Sequence, residues 1–148
     1  MFSRTADYAL RAVCMIARHA GDSLTTEQIA AGTKVPPAYL SKVLQSLSRA
    51  QIVATQRGSG GGVSLARPAD HVTVFDIVDA VDPFQRIESC PLGLAEHGVH
   101  LCPMHSQLDE ALGLIEQTFR STTIADLLHP SPAGAVRCRF PLAGMDRG

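Results

Sequence analysis

Residues 24–65, LTTEQIAAGTKVPPAYLSKVLQSLSRAQIVATQRGSGGGVSL, decide how this chain folds. Thr25 stands where a helix N-cap belongs and Gln28 follows three residues later, so hydroxyl and amide can satisfy the first backbone N–H groups reciprocally. That short helix carries Ile29 and Ala30 inward and is expected to stop at Gly32. Pro36 and Pro37 are excluded from a helix interior but suit its first turn, which starts a second helix near Pro37. Leu40, Val43, Leu44 and Leu47 keep the three-and-four spacing of a buried stripe and leave Ala38, Ser41, Lys42, Gln45 and Arg49 on other faces. After Ala50 a β-branched run from Ile52 to Thr55 leads to Arg57, to glycines 58, 60, 61 and 62, and then to Val63 and Leu65. This is the pattern of a hairpin with a flexible, basic tip.

Two short helices at a sharp turn followed by a two-stranded wing form a winged helix-turn-helix. The second helix is sized for the DNA major groove, and a wing cation reaches the backbone or minor groove. The same arrangement also serves elsewhere as a plain packing module. A phosphate-cradling loop is the rival for the glycines, but the segment lacks the Gly-Lys-Ser/Thr ending and does not open a helix.

The net charge of −1 has the wrong sign for a nucleic-acid binder until the 148 residues are divided. Residues 1–70 hold eight Lys or Arg against four acids, a net +4, while residues 71–148 hold five against ten, a net −5. Phosphate-facing charge therefore sits with the reading head, and the acidic half is expected to stand away from DNA. No apolar run approaches the roughly 20 residues of a membrane span and no signal-peptide pattern opens the chain, so a cytoplasmic protein with no membrane partner is expected. Four cysteines, at 14, 90, 102 and 138, lack the spacing of a disulfide scaffold and point to metal or redox chemistry.

Upstream, Ser3 can cap a first helix to about Ala20, with Ala6, Ala9, Leu10, Val13, Ile16 and Ala17 inward. Cys14 beside that stripe reads as a small buried hydrophobe, and Asp7 with Arg11 as a solvated ion pair. Downstream, Thr73 caps a helix through Val81, ended by Asp82 and Pro83. An irregular loop follows from Phe84 to Leu101. Periodicity returns from Pro103 to about Arg120 with Leu108, Leu112, Ile115 and Phe119, flanked by Ala111 and Leu114. A long helix with an apolar edge and no equal partner predicts self-pairing, hence a homodimer; the alternative is packing on the chain's own first helix. A cap and a short turn of helix occupy 121–128, and the tail from Pro130 has no periodicity.

Between Cys90 and His105 lie two thiols, three imidazoles and the carboxylate of Glu96. Soft sulfur and borderline nitrogen at this density suit an iron–sulfur cluster, iron or zinc, with thiol switching and a merely exposed polar loop as the other readings. Cys90 and Cys102 are twelve apart with no cysteine between them, and His105 lies within one helical turn of Cys102. An enzyme is not expected: no nucleophile is paired with a base, and no oxyanion-hole signature is present.

The chain resembles the Rrf2 family of winged-helix transcriptional regulators, the IscR-, NsrR- and RirA-like proteins. The resemblance covers about residues 1–128 and is carried by Asp7-Tyr8-Ala9-Leu10-Arg11, by Ala38-Tyr39-Leu40, and by Arg57-Gly58 through Gly62 with Leu65-Ala66-Arg67. It implies a homodimer paired through the long helix, with one reading head per half of a near-palindromic operator on double-stranded DNA. It assigns base contacts to Ala38, Ser41 and Lys42 and backbone contacts to the wing at Arg57, Gly58 and Gly60. Cluster-binding members use three cysteines with five residues between neighbours; here the outer two match Cys90 and Cys102 while the middle position is Glu96. His105 matches a histidine ligand and Asp7 an aspartate that reaches a cluster from the partner subunit. The implied set is Cys90, Cys102, His105 and an oxygen from Glu96 or Asp7, with His97 or His100 as substitutes, and a [2Fe–2S] cluster is favoured over [4Fe–4S].

The expected organisation is therefore mainly α. A winged helix-turn-helix DNA-binding domain occupies 1–82, a ligand-rich sensor loop 83–102, a dimerisation helix with a short terminal helix 103–128, and a flexible tail 129–148. The expected function is a regulator, in the repressor sense, whose operator affinity follows an iron–sulfur cluster sensing redox, nitric oxide or iron status; the alternative is a cluster-free regulator switched by thiol oxidation or zinc.

Overall fold

Ser3 opens the fold by accepting the Ala6 N–H at 3.1 Å, which starts helix α1 (Arg4–Arg18). The computed structural model describes residues 3–90 and 100–129. All six residues expected on the inner face of α1 are buried, and so are Ala12, Cys14 and Met15. Six consecutive buried residues, 12–17, mean that α1 is enclosed on all sides there rather than along one stripe. The helix ends at Arg18, two residues before the expected Ala20, because the His19 N–H turns back to Ile16 O at 3.1 Å and its ring Nδ1 lies 2.9 Å from Met15 O.

The helix-turn-helix follows its punctuation. Helix α2 (Thr26–Thr33) begins with the reciprocal cap: Thr25 N–H donates to Gln28 Oε1 at 2.9 Å, and Gln28 N–H to Thr25 Oγ1 at 3.2 Å. It runs one residue past Gly32, since the buried Thr33 hydroxyl donates to Ile29 O at 2.6 Å and Lys34 makes the left-handed turn at φ 57°. Helix α3 (Pro37–Arg49) starts at Pro37 and buries Leu40, Val43, Leu44 and Leu47. Ile52 is fully buried, and strands β1 (Val53–Gln56) and β2 (Gly62–Leu65) pair antiparallel from Val53↔Leu65 to Gln56↔Gly62. Leu24 adds a third rung that the sequence did not announce. Its N–H and carbonyl bond Val63 at 3.0 and 2.7 Å, and a Cβ at Gly62 would lie 2.7 Å from Leu24 O, so glycine permits the approach.

After a 3-10 turn (Ala69–His71), helix α4 (Val74–Val81) starts from Thr73, whose hydroxyl accepts from Asp76 N–H at 3.1 Å. Helix α5 (Pro103–Ser121) spans 19 residues, one longer than expected. The short last helix α6 (Ile124–Leu128) is therefore capped at Thr123 with Asp126, not at Ser121. A backbone bridge binds it home: Val74 N–H to Thr122 O and Ile124 N–H to Val72 O, both 2.9 Å. Ile124 is completely buried in the core that α1 organises.

Helix α5 packs on α4, and Leu112, Ile115 and Phe119 face Ala6 and Val78 across a cavity of about 260 Å³. Its other apolar residues remain open: Met104, Leu108 and Leu114 are 62, 49 and 67% exposed. The apolar edge thus has two parts, and among the described residues one of them is covered and the other exposed.

Ile124 sits near the end of the described chain yet in the main core. Ile124→Ala is expected to lower the urea unfolding free energy by about 2–4 kcal/mol; a loss under about 1 kcal/mol would mean that α6 is detached from the core.

Candidate functional site

The exposed side of α3 presents Ala38, Ser41, Lys42 and Gln45 to solvent. The Ser41 hydroxyl donates to Pro37 O at 3.0 Å, which keeps its lone pairs outward. No acid occurs between Gln28 and Ala69, whereas that span contains Lys34, Lys42, Arg49, Arg57 and Arg67. The positive end of the α3 dipole adds to this field, and its first turn holds no acidic residue. At the wing tip Arg57, Gly58 and Gly60 are exposed; the glycines take φ 104° and 79°, and the Gly61 N–H closes on Gly58 O at 2.9 Å. A cation therefore projects from a turn tight enough to approach a phosphate backbone.

One feature of this face was not anticipated from sequence. The Tyr39 hydroxyl lies 2.6 Å from Thr5 Oγ1, and its ring meets Tyr8 edge-on with centroids 5.3 Å apart. The first turn of α3 is thereby tied to the first turn of α1. Two tyrosines 31 positions apart offer no local pattern that would have paired them.

The second site gathers residues from both sides of the 91–99 segment. Cys102 is the N-cap of α5, and Pro103 at its first position leaves no N–H to satisfy. His105 lies one turn in and is 8% exposed, the only α5 side chain buried to that degree. Its Nδ1 lies 3.1 Å from Cys102 Sγ and 3.6 Å from Cys90 Sγ, and the three donor atoms lie within 4.8 Å of one another. A tetrahedral ion with metal–sulfur and metal–nitrogen bonds of about 2.3 and 2.0 Å would place such atoms about 3.6 Å apart. The donor set therefore fits a soft metal with three protein ligands in place. Among the described residues, Asp7 of the same chain is not in this group: its Oδ2 pairs with Arg11 Nη2 at 2.8 Å. Glu96 and His97 lie outside the described residues, as do Cys138 and the tail from Pro130, while His100 is exposed.

Cys90 reaches the site on a strip anchored at several points. Phe84 N–H donates to Asp79 Oδ1 at 3.0 Å, and its ring lies 6.1 Å from Phe75 and 6.3 Å from Phe119. Arg86 Nε and Nη2 each donate to Asp109 at 2.7 Å, and the Ile87 N–H donates to the same carboxylate at 2.9 Å. Glu116 stands 3.5 Å from Arg86 Nη1 and 2.8 Å from Arg120, whose guanidinium lies 3.5 Å above the Phe75 ring. The hydrogen bonds from Arg86 and from Ile87 N–H hold the Asp109 carboxyl down at about 2, and the Asp109 hydrogen bond and charge, joined by Glu116, raise the Arg86 pKa.

A family model described as Rrf2, iron-dependent transcriptional regulator, matches residues 2–130. The chain belongs to the Rrf2 family of transcriptional regulators. An Aquifex aeolicus (strain VF5) protein named "Putative HTH-type transcriptional regulator" is 33% identical over 132 residues, covering 87% of this chain and 92% of that one. Two solved structures share the fold at 24% identity. CymR (YrzC), the global cysteine regulator of B. subtilis, has a TM-score of 0.71 over 86% of this chain and 95% of its own. T. potens IscR has a TM-score of 0.72 over 86% of this chain and 85% of its own. The expected fold class, mainly α with a winged helix-turn-helix, is the one observed, and the relatives of this Rrf2 chain are regulators, not enzymes. Among the described residues no helix is long and apolar enough to cross a membrane.

The Asp109 carboxyl has its ordinary value at 3.8 and its folded value at about 2, so its contribution to stability is complete above the first and lost as pH falls through the second. Carboxyl-carbon NMR is expected to find Asp109 titrating near 2, and Arg86→Met to return it toward 3.8. Unchanged titration in the variant would show that Arg86 does not set it.

Proposed function

We propose that this Rrf2 protein is a cytoplasmic, homodimeric repressor that binds a near-palindromic operator. In this reading Ala38, Ser41 and Lys42 of α3 meet base edges while Arg57, Gly58 and Gly60 approach the backbone. Support comes from the acid-free span between Gln28 and Ala69, the open face of α3 and the cation at the wing tip. The open residues Met104, Leu108 and Leu114 of α5 supply the apolar area that pairing of two copies would cover. Residues 1–82 then act as the reading head, 83–102 as the sensor, 103–128 as the pairing element and 129–148 as a tail.

The single observation that carries the sensing part is the convergence of Cys90, Cys102 and His105 on one point. These three hold an iron–sulfur cluster, [2Fe–2S] rather than [4Fe–4S], because one nitrogen ligand beside thiolates suits the smaller, higher-potential centre. A fourth donor comes from Glu96, His97, His100 or the partner's Asp7. Such a cluster supplies a centre that redox change, nitric oxide or iron shortage can alter. The chain's part is to hold the donors next to α5, so that ligation at Cys90, Cys102 and His105 sets the spacing of the two reading heads. A second reading keeps the DNA binding and replaces the cluster with zinc or a reversible thiol change. It is favoured by the 3.1 and 3.6 Å sulfur–nitrogen distances, which suit a single ion, and by the fold shared with a cysteine regulator.

Two experiments test these assignments. Operator binding by Arg57→Ala is expected to weaken with the slope of log affinity against log salt falling by about 1, as when one phosphate is no longer neutralised, whereas Lys42→Ala is expected to cost about 1–3 kcal/mol and to relax base preference; an unchanged slope for the first and unchanged discrimination for the second remove them from the interface. Anaerobically prepared protein is expected to contain iron and sulfide and to absorb in the visible, and Cys90→Ala and Cys102→Ala to be colourless with altered operator affinity. Zinc instead of iron would select the second reading, and metal-free protein with unaltered binding would refute both metal readings.

A further inference from the structure

Building on the metal-gated reading above, we infer that Arg86 is the positioning residue of the metal site: clamped onto α5 by Asp109, it holds Cys90 opposite Cys102 and His105. Cys102 and His105 need no such help, because both belong to the first turn of α5. Cys90 arrives from the other side of the 91–99 segment, 12 positions before Cys102, and no helix or strand of its own fixes it. Something must hold its strand of chain against α5.

The geometry of α5 supplies that hold. His105, Asp109, Gly113 and Glu116 succeed one another at spacings of four, four and three, which place them along one helix face. Arg86 lies along this row, bidentate on Asp109 and 3.5 Å from Glu116. Gly113 gives it a floor: a Cβ there would stand 3.1–3.2 Å from the guanidinium atoms. A glycine inside a 19-residue helix is unfavourable by about 1 kcal/mol relative to alanine, and the guanidinium seated against it accounts for its presence.

The clamp also has the right reach. Asp109 takes the Ile87 N–H as well as the guanidinium, so the backbone, not just a side chain, is fixed at residue 87. Three residues from there to Cys90 span at most about 10 Å, and Asp109 lies about 6 Å along the axis from His105. The tether is therefore long enough to deliver the Cys90 sulfur to the first turn of α5, in keeping with its 3.6 Å approach to His105 Nδ1. A bidentate arginine–carboxylate pair is directional, and lysine cannot reproduce it.

The test uses the full chain and compares wild type with Asp109→Asn, Arg86→Lys and Gly113→Leu, each checked for native circular dichroism. Two quantities are read. One is the dissociation constant for Co²⁺, from its thiolate charge-transfer absorbance. The other is the equilibrium of a Cys90–Cys102 disulfide in glutathione buffers, where one glutathione disulfide is reduced to two glutathiones as the two thiols lose two electrons and two protons. All three variants are expected to bind Co²⁺ about tenfold or more weakly, as loss of a ligand-orienting partner does, and to form the disulfide less readily by a similar factor. Glu116→Gln, which removes only the 3.5 Å ion pair, is expected to change both by less than about threefold. Folded variants with unchanged values in both measurements would overturn the positioning role. If wild type takes up no Co²⁺, the metal reading alone falls, and the disulfide equilibrium still decides whether Arg86 brings the thiols together.

Discussion

The burial of α1 is the constraint on which the rest of the molecule depends. Residues 12–17 are enclosed on every side, and α2, α3, α4, α6 and β2 all pack against this one helix. Alanines at 6, 9, 12 and 17 keep its surface low, so several elements can approach a single axis closely. Because the reading helix and the terminal helix attach to the same rod, neither can shift without disturbing a close-packed interior. What holds α3 in a groove-ready attitude is thus the core behind it, together with the Tyr39–Thr5 bond at its front.

Charge is arranged in the opposite sense at the two ends of the chain. The span from Gln28 to Ala69 carries only cations, and its exposed members are free to meet phosphate. On α5, by contrast, Asp109 and Glu116 are engaged with Arg86 and Arg120. Acidic side chains there fix the 84–90 strip, while the other side of the helix is left apolar and open at Met104, Leu108 and Leu114. One helix therefore differs on two faces. Its polar row holds a segment of its own chain, and its apolar side is partly exposed.

The turn that carries Cys102 and His105 and the helix α3 are joined by an unbroken series of packed elements. Helix α5 rests on α4, α4 on α1 and α3, and α1 on α3. The cavity beside Leu112, Ile115 and Phe119 lies within this series, between α5 and the start of α1.

Much of this was legible in the residues before any coordinates. The capping pair Thr25 and Gln28, the start of α3 at Pro37, its buried leucines and the glycine-rich wing tip all arise from interactions among neighbours three or four positions apart. Such interactions leave a periodic mark that can be read. The ends of α1 and α2 and the cap of α6 were misplaced by a residue or two because helix termini are decided by single hydrogen bonds, at His19, Thr33 and Thr123. The Leu24 rung on Val63, the return of α6 to the core, the Tyr39–Thr5 bond and the Arg86 clamp were invisible, since each joins residues 23 to 52 positions apart with no repeating pattern. The ligand types at Cys90, Cys102 and His105 were plain from composition. That they share one point was settled by the path of the chain around them, because a thiol 15 positions from an imidazole meets it only where a folded backbone brings it.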